Sequence, residues 1–301
     1  MEDTHAPATT LDGPPPRSSG QPLLVRSVVL VRRVIGRTMW ILWPRVPYRL
    51  ARPLIQRKVR RALADPARID DAREQMEHLL GAIGRSSEVD TASRAYVEHW
   101  VRCDRLHWNP RTITRQRVEG GEHLIAAHGL GKGVLLSFVH HAHFAGFFAS
   151  VARTGVPVHV VAAPLASPGP NFIQHLHVVG KGGGLVSAGR GTAGIVEELG
   201  RGRVVASAID VPGGSHASFA GRQVRCSSGA AHAAIGAGAP IVVLTSHHDE
   251  NGPYIRLSEP LDPAQFDGAQ ELLAELVARH EKAVLAWPEV AYLPTTCWSP
   301  V

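Results

Sequence analysis

The sequence has little cysteine, lysine or aromatic side chain, and it lacks any long uncharged apolar run. Its three cysteines, Cys103, Cys226 and Cys297, are odd in number and lack metal-finger spacing, which argues against a disulfide framework or a structural zinc cluster. That usage reads as a reduced, cytosol-facing chain. The GxSxG nucleophile elbow is missing, which disfavours a serine hydrolase. In the run GKGGG (180–184) Lys181 is followed by Gly182 rather than Ser or Thr, so it reads as a turn and not a phosphate loop. The start carries acids and no directly following apolar run, which is not the pattern of a secretory signal.

What the chain does contain is enough for a sizeable core. Of its 301 residues 44% are apolar and 19% charged, which fits a compact fold of one large domain or two small ones. The net charge of +6 is local in origin: residues 22–61 carry eleven Arg or Lys and no acid, leaving 21 basic and 26 acidic residues elsewhere.

Residues 1–21, rich in Pro, Ser, Thr and Gly, have too little apolar surface to offset the entropy of ordering and read as a loose tail. The segment LLVRSVVLVRRVIGRTMWILWPRVPYRL is apolar but interrupted by Arg32, Arg33 and Arg37, so it should lie on a membrane rather than cross it. Trp40, Trp43 and Tyr48 suit the headgroup level, and Arg45, Arg49, Arg52, Arg57, Lys58, Arg60 and Arg61 suit anionic lipid. A basic helix packed on the domain is the plainer alternative. A nucleic-acid arm fits least, because phosphate tracking does not need bulky aliphatics.

Ile69, Ala72, Met76, Leu79 and Ile83, then Ala92, Tyr96, Trp100, Cys103 and Leu106, recur at spacings of three and four and predict two amphipathic helices with a break near 84–90. From about residue 118 short apolar runs take over at 134–139, 156–162, 204–209 and 241–245, predicting an α/β fold with a mostly parallel sheet flanked by helices. Residues 254–257 read as an antiparallel edge, and 269–286 as a terminal helix stopping before Pro288. The expected organisation is a tail (1–21), a membrane-interface basic helical segment (22–61), a helical subdomain (62–117), an α/β core (118–262) and a carboxy-terminal helix and tail (263–301).

Twelve of seventeen histidines fall between His123 and His248, densest at His140–His143 directly after VLLSFV. Side chains at the end of a buried parallel strand reach the mouth of the sheet, where ligand sites lie, and a neutral imidazole there can take a proton from an alcohol. The HxH pairs His141/His143 and His175/His177, with His247 and His248, could instead ligate zinc, or the ring could be structural. In VVASAIDVPGG (204–214) Asp210 stands at another strand end, positioned to bind or orient a polar substrate or to cap the next element. Arg222 and Arg225 offer charge for an anionic group, or solvated surface.

The ordered set RVEGGEHLIAAHGLGKGVLLSFVHH (117–141), IDVPGG (209–214), F-x-G-R (219–222), SSGAAHAA (227–234), GAP (238–240) and NGPYIRLSEPL (251–261) resembles the bacterial lipid A biosynthesis acyltransferase family, within the lysophospholipid acyltransferase-like superfamily. The resemblance covers roughly residues 20–290. It implies a membrane-associated enzyme, peripheral on the cytoplasmic face, that moves a fatty acyl group from a thioester on acyl carrier protein or coenzyme A to a hydroxyl of a lipid or glycolipid. Membrane lipids and the thioester carrier are its implied partners, with no nucleic acid. The thioester is a co-substrate, and no metal or other cofactor is required.

Carried over by position, His140 is the general base, Gly213 and Gly214 cradle the acceptor, and Arg222 contacts phosphate or the pantetheine arm. The family's His-x4-Asp/Glu motif is degenerate, because the carboxylate position is Ala145. Two substitutes suggest themselves: Asp210 reaching His140 or His143 through space, or His140 and His143 sharing a proton. A catalytically inactive relative that binds acyl chains or a partner enzyme remains an alternative, as does a zinc hydrolase built on the histidine cluster.

Overall fold

A strand apolar on both faces has to be covered on both sides, and VLLSF (Val134–Phe138), with all five residues buried, imposes that condition on the fold. The computed structural model describes residues 48–106, 113–162, 178–292 and 298–301. The expected tail and residues 22–47 of the basic segment lie outside the described residues, as do His175, His177 and Cys297. The described residues all belong to one compact unit.

The described α-helices are α1 (Tyr48–Leu63), α2 (Pro66–Ala82), α3 (Val89–Leu106), α4 (Gly121–Gly129), α5 (Phe147–Val151), α6 (Gly191–Gly200), α7 (Gly229–Ala237) and α8 (Ala269–Ala286). The strands are β1 (Arg117–Glu119), β2 (Val134–Phe138), β3 (Val158–Ala162), β4 (Gly184–Ser187), β5 (Val204–Ala208), β6 (Ser215–Phe219), β7 (Arg222–Cys226), β8 (Ile241–Asp249) and β9 (Gly252–Leu257). Seven of these form one sheet in the order β1-β9-β8-β2-β5-β3-β4, and β6 and β7 form a separate hairpin. Every pairing in the large sheet is parallel except β8 with β9. The predicted α/β class with a mostly parallel, helix-flanked sheet is what the chain adopts. Residues 254–257 do pair antiparallel, but they are not the edge, because β1 lies outside them.

Alternation along β2 splits the core in two. Leu135 and Val139 join Val205, Ile241, Leu272 and Leu276 on one face. Val134, Leu136 and Phe138 join Leu124, Phe148 and Val204 on the other. The hairpin turns at Ala220 (φ 49°) and Gly221 (φ 77°), two successive positive angles of the kind a tight two-residue hairpin loop requires.

The described part of the basic segment is α1, whose Ala51, Ile55, Val59 and Ala62 recur one turn apart and are buried. Leu50 and Leu54 are exposed beside this stripe, among arginines. Among the described residues, no helix is long and apolar enough to cross a membrane.

Candidate functional site

β2 and β5 run parallel in a register that pairs Val134 with Val204 and Phe138 with Ala208. The backbone continues this pairing past the strand ends, where the Ile209 N–H donates to the Phe138 carbonyl at 3.2 Å. Two residues further on, the same offset sets His140 opposite Asp210. The His140 backbone N–H donates to Asp210 Oδ2 at 2.7 Å, and His140 Nδ1 lies 2.9 Å from Oδ1 and 3.1 Å from Oδ2.

An Nδ1–H bond to a carboxylate fixes the tautomer and keeps the Nε2 lone pair for proton transfer. The Asp210 side chain is fully buried, whereas that of His140 is 21% exposed. Burial acts against a charged His140, but the Asp210 carboxylate outweighs it through its charge and hydrogen bond and raises the ring above the ordinary imidazole value.

The carboxylate is itself held in place. The Asp210 carbonyl accepts from the Trp298 N–H at 2.8 Å, and the Trp298 ring stacks on Phe219 with centroids 4.2 Å apart. Residues 298–301 thereby run along the hairpin, with the Arg225 N–H donating to the Ser299 carbonyl. Around the imidazole stand Phe144 at 4.7 Å, Phe138 at 5.6 Å and Tyr292 at 5.8 Å between ring centroids, with Trp100 packed edge-on to Tyr292 at 4.9 Å. Sequence reading missed the contributions of Trp298 and Tyr292. Neither has a local signal, since each meets its partner across a long stretch of chain.

The other histidines of the cluster go elsewhere. His141 is buried, its Nε2 3.0 Å from the Trp287 carbonyl, and burial pushes it down to about 4. His143 turns toward α3, with Nδ1 3.3 Å from Cys103 Sγ and its ring stacked on His99. His99 is pushed down to about 3, first by burial and then by His143 and His141. His247 Nε2 bonds Thr245 Oγ1 at 2.8 Å, and the His248 ring packs near Trp287.

Gly213 has a packing reason for being glycine, because a Cβ there would meet the Cys226 carbonyl oxygen at 2.5 Å; Gly214 faces open space. Arg222 is exposed and lines a cavity of about 550 Å³ with His78, Leu79, Phe219 and Trp298. A second cavity, of about 790 Å³, lies against α1, α2 and α3; Ala62, Ala72, Tyr96, Val97, Trp100 and Val101 form its apolar side, and Lys58, Arg61, Asp65, Arg68, Asp71 and Gln75 the polar remainder. After the strand, the amides of His140, Ala142 and Gly146 are already engaged, by Asp210, Val290 and His143 respectively. Ala145 is buried within the turn 144–146.

No family model matches the chain. Over 81 residues, 27% of its length, it is 33% identical to UDP-N-acetylglucosamine 1-carboxyvinyltransferase 2 of Listeria monocytogenes serotype 4b (strain F2365), and 32% identical to the protein of that name from Listeria innocua serovar 6a (strain ATCC BAA-680 / CLIP 11262). The matched stretch spans 18% of each of those proteins. Among solved structures, the 1-acyl-sn-glycerophosphate acyltransferase PlsC from Thermotoga maritima superposes with a TM-score of 0.40 and 11% identity, over 73% of this chain and 98% of that one. So loose a superposition does not discriminate among α/β architectures, and the functional reading has to come from side chains.

Proposed function

We propose that the protein is an acyltransferase that moves a fatty acyl group from a thioester of coenzyme A or acyl carrier protein to a hydroxyl of a lipid or glycolipid, with the His140–Asp210 dyad as its base. The observation that carries this reading is the 2.9 Å contact of His140 Nδ1 with the Asp210 carboxylate, which supplies what Ala145 does not. The ordered sequence motifs support the reaction class.

In the reaction His140 Nε2 takes the acceptor's hydroxyl proton as the oxygen bonds to the thioester carbonyl carbon. The tetrahedral oxyanion then collapses, the C–S bond breaks, and the thiolate leaves with the proton returned by the imidazolium. The Asp210 carboxylate orients the ring and balances its transient charge. Phe138, Phe144 and Tyr292 pack around the ring, whose side chain remains 21% exposed for the acceptor to reach. The cavity of about 790 Å³ shares Trp100 with this aromatic wall, and its apolar side, Ala62, Ala72, Val97 and Val101, offers a surface for the acyl chain. Arg222 and Gly214 serve the acceptor or carrier. The basic segment 22–61 holds the enzyme peripherally on the cytoplasmic face, a role that the exposed Leu50 and Leu54 beside the α1 arginines support.

The test is transfer from radiolabelled acyl-coenzyme A or acyl carrier protein into membrane extract. Wild type is expected to label a lipid product and His140→Ala is not; equal turnover by the two removes the mechanism.

A further inference from the structure

We propose that His99, Cys103 and His143 form a zinc(II) site that ties the turn after β2 to helix α3. This stands apart from the acyl-transfer reading, since none of the three residues belongs to the dyad. His99 and Cys103 lie four residues apart on α3 and so share one face, and His143 is delivered to that face by the turn that follows His140. Cys103 Sγ is 3.2 Å from His99 Nε2 and 3.3 Å from His143 Nδ1, and the three donor atoms all lie within 4.8 Å of one another. Zinc bonds of about 2.3 Å to sulfur and about 2.0 Å to nitrogen put tetrahedral S···N edges at roughly 3.5 Å, within a few tenths of both separations.

The donor chemistry points the same way. A thiolate and two neutral imidazoles form a donor set that suits one borderline-soft dication. Aromatic rings hold His99 from the sides: Trp100 at 4.9 Å, His143 at 5.4 Å and Trp287 at 6.5 Å between centroids. Cys103 is 1% exposed, which protects a thiolate from oxidation. Water completes the coordination. With His143 three residues beyond His140, the ion would pin the turn that carries the base, as a positioning element outside the reaction itself.

The experiment uses the full chain, dialysed with zinc against a weak chelator and assayed for bound metal, with a parallel cobalt(II) titration followed by absorption. Wild type is expected to retain about one zinc per chain, to melt higher with zinc present, and in its cobalt form to show tetrahedral d–d bands with a near-ultraviolet thiolate charge-transfer band. Cys103→Ser and His99→Gln should lose the retained zinc at least about tenfold and abolish the charge-transfer band, while the exposed His216→Ala keeps both. Circular dichroism checks that each variant folds. If the buried Cys103→Ser does not, His143→Asn at the less buried ring carries the same expectation for zinc retention. Wild type that retains no zinc, or retention unchanged in the folded variants, overturns the site and leaves a hydrogen-bonded triad.

Discussion

Strand β2 meets one histidine at Ser137, within the strand, and presents another just past its end, and the two behave oppositely. At Ser137, His280 from α8 packs into the core with Nε2 3.0 Å from Ser137 Oγ, fully buried, and burial drives it down to about 3. Past the strand end, His140 is also largely enclosed but has a carboxylate against Nδ1, and its proton affinity rises. Burial acts in the same direction on both rings. The difference is the partner: a hydroxyl offers no charge to stabilise an imidazolium, and a carboxylate does. Of the two, the ring at the strand end is the one whose protonated form is favoured, and it is the one with some exposure.

Making His140 resemble His280 gives the largest expected effect. Asp210→Asn keeps the shape and removes the charge, so the transfer rate should fall by about 10²–10⁴. Combining it with His140→Ala should cost little beyond the single His140 change, because the pair acts as a unit. Additive losses in steady-state kinetics of the four proteins would separate the two residues. The reverse exchange, Ser137→Asp, gives His280 a carboxylate in a site with no solvent, and burying that charge should lower unfolding free energy by on the order of several kcal/mol in a urea titration.

Smaller effects probe what holds each ring. Gly213→Ala puts a methyl against the Cys226 carbonyl beside the loop that carries Asp210, which should cost about 1–3 kcal/mol of stability and lower kcat through the displaced carboxylate. His280 is depressed from 6.5 to about 3, so its contribution to stability is fully present above pH 6.5 and is lost as the pH falls, by about 1.4 kcal/mol per pH unit until its folded value is reached. His280→Gln should therefore flatten the acid side of the stability curve. An unchanged slope would mean that the ring is hydrated in solution.

Part of this contrast is legible in the sequence. The runs VLLSFVHH and VVASAID mark His140 and Asp210 as strand-end residues, but which histidine the carboxylate reaches follows only from β2 and β5 being neighbours at an offset of 70. Periodicity also located α2, α3 and α8 to within a few residues, because each carries a long apolar stripe.

What stayed hidden was short or distant. RVE in β1 and GLVS in β4 bury too little to alternate visibly. The hairpin SHASF/RQVRC turns through a left-handed Ala220, which the sequence does not mark, so its arginines stood out and its strands did not. Trp298 reaches Asp210, and Cys103 reaches His143, only because the chain folds back, and no spacing rule encodes either contact.

The most direct test of the central claim is an NMR titration of the His140 ring in wild type and Asp210→Asn. The account predicts a wild-type pKa above the ordinary 6.5 that falls below it once the carboxylate is removed and burial acts alone. A wild-type value at or below 6.5, unmoved by Asp210→Asn, would contradict it.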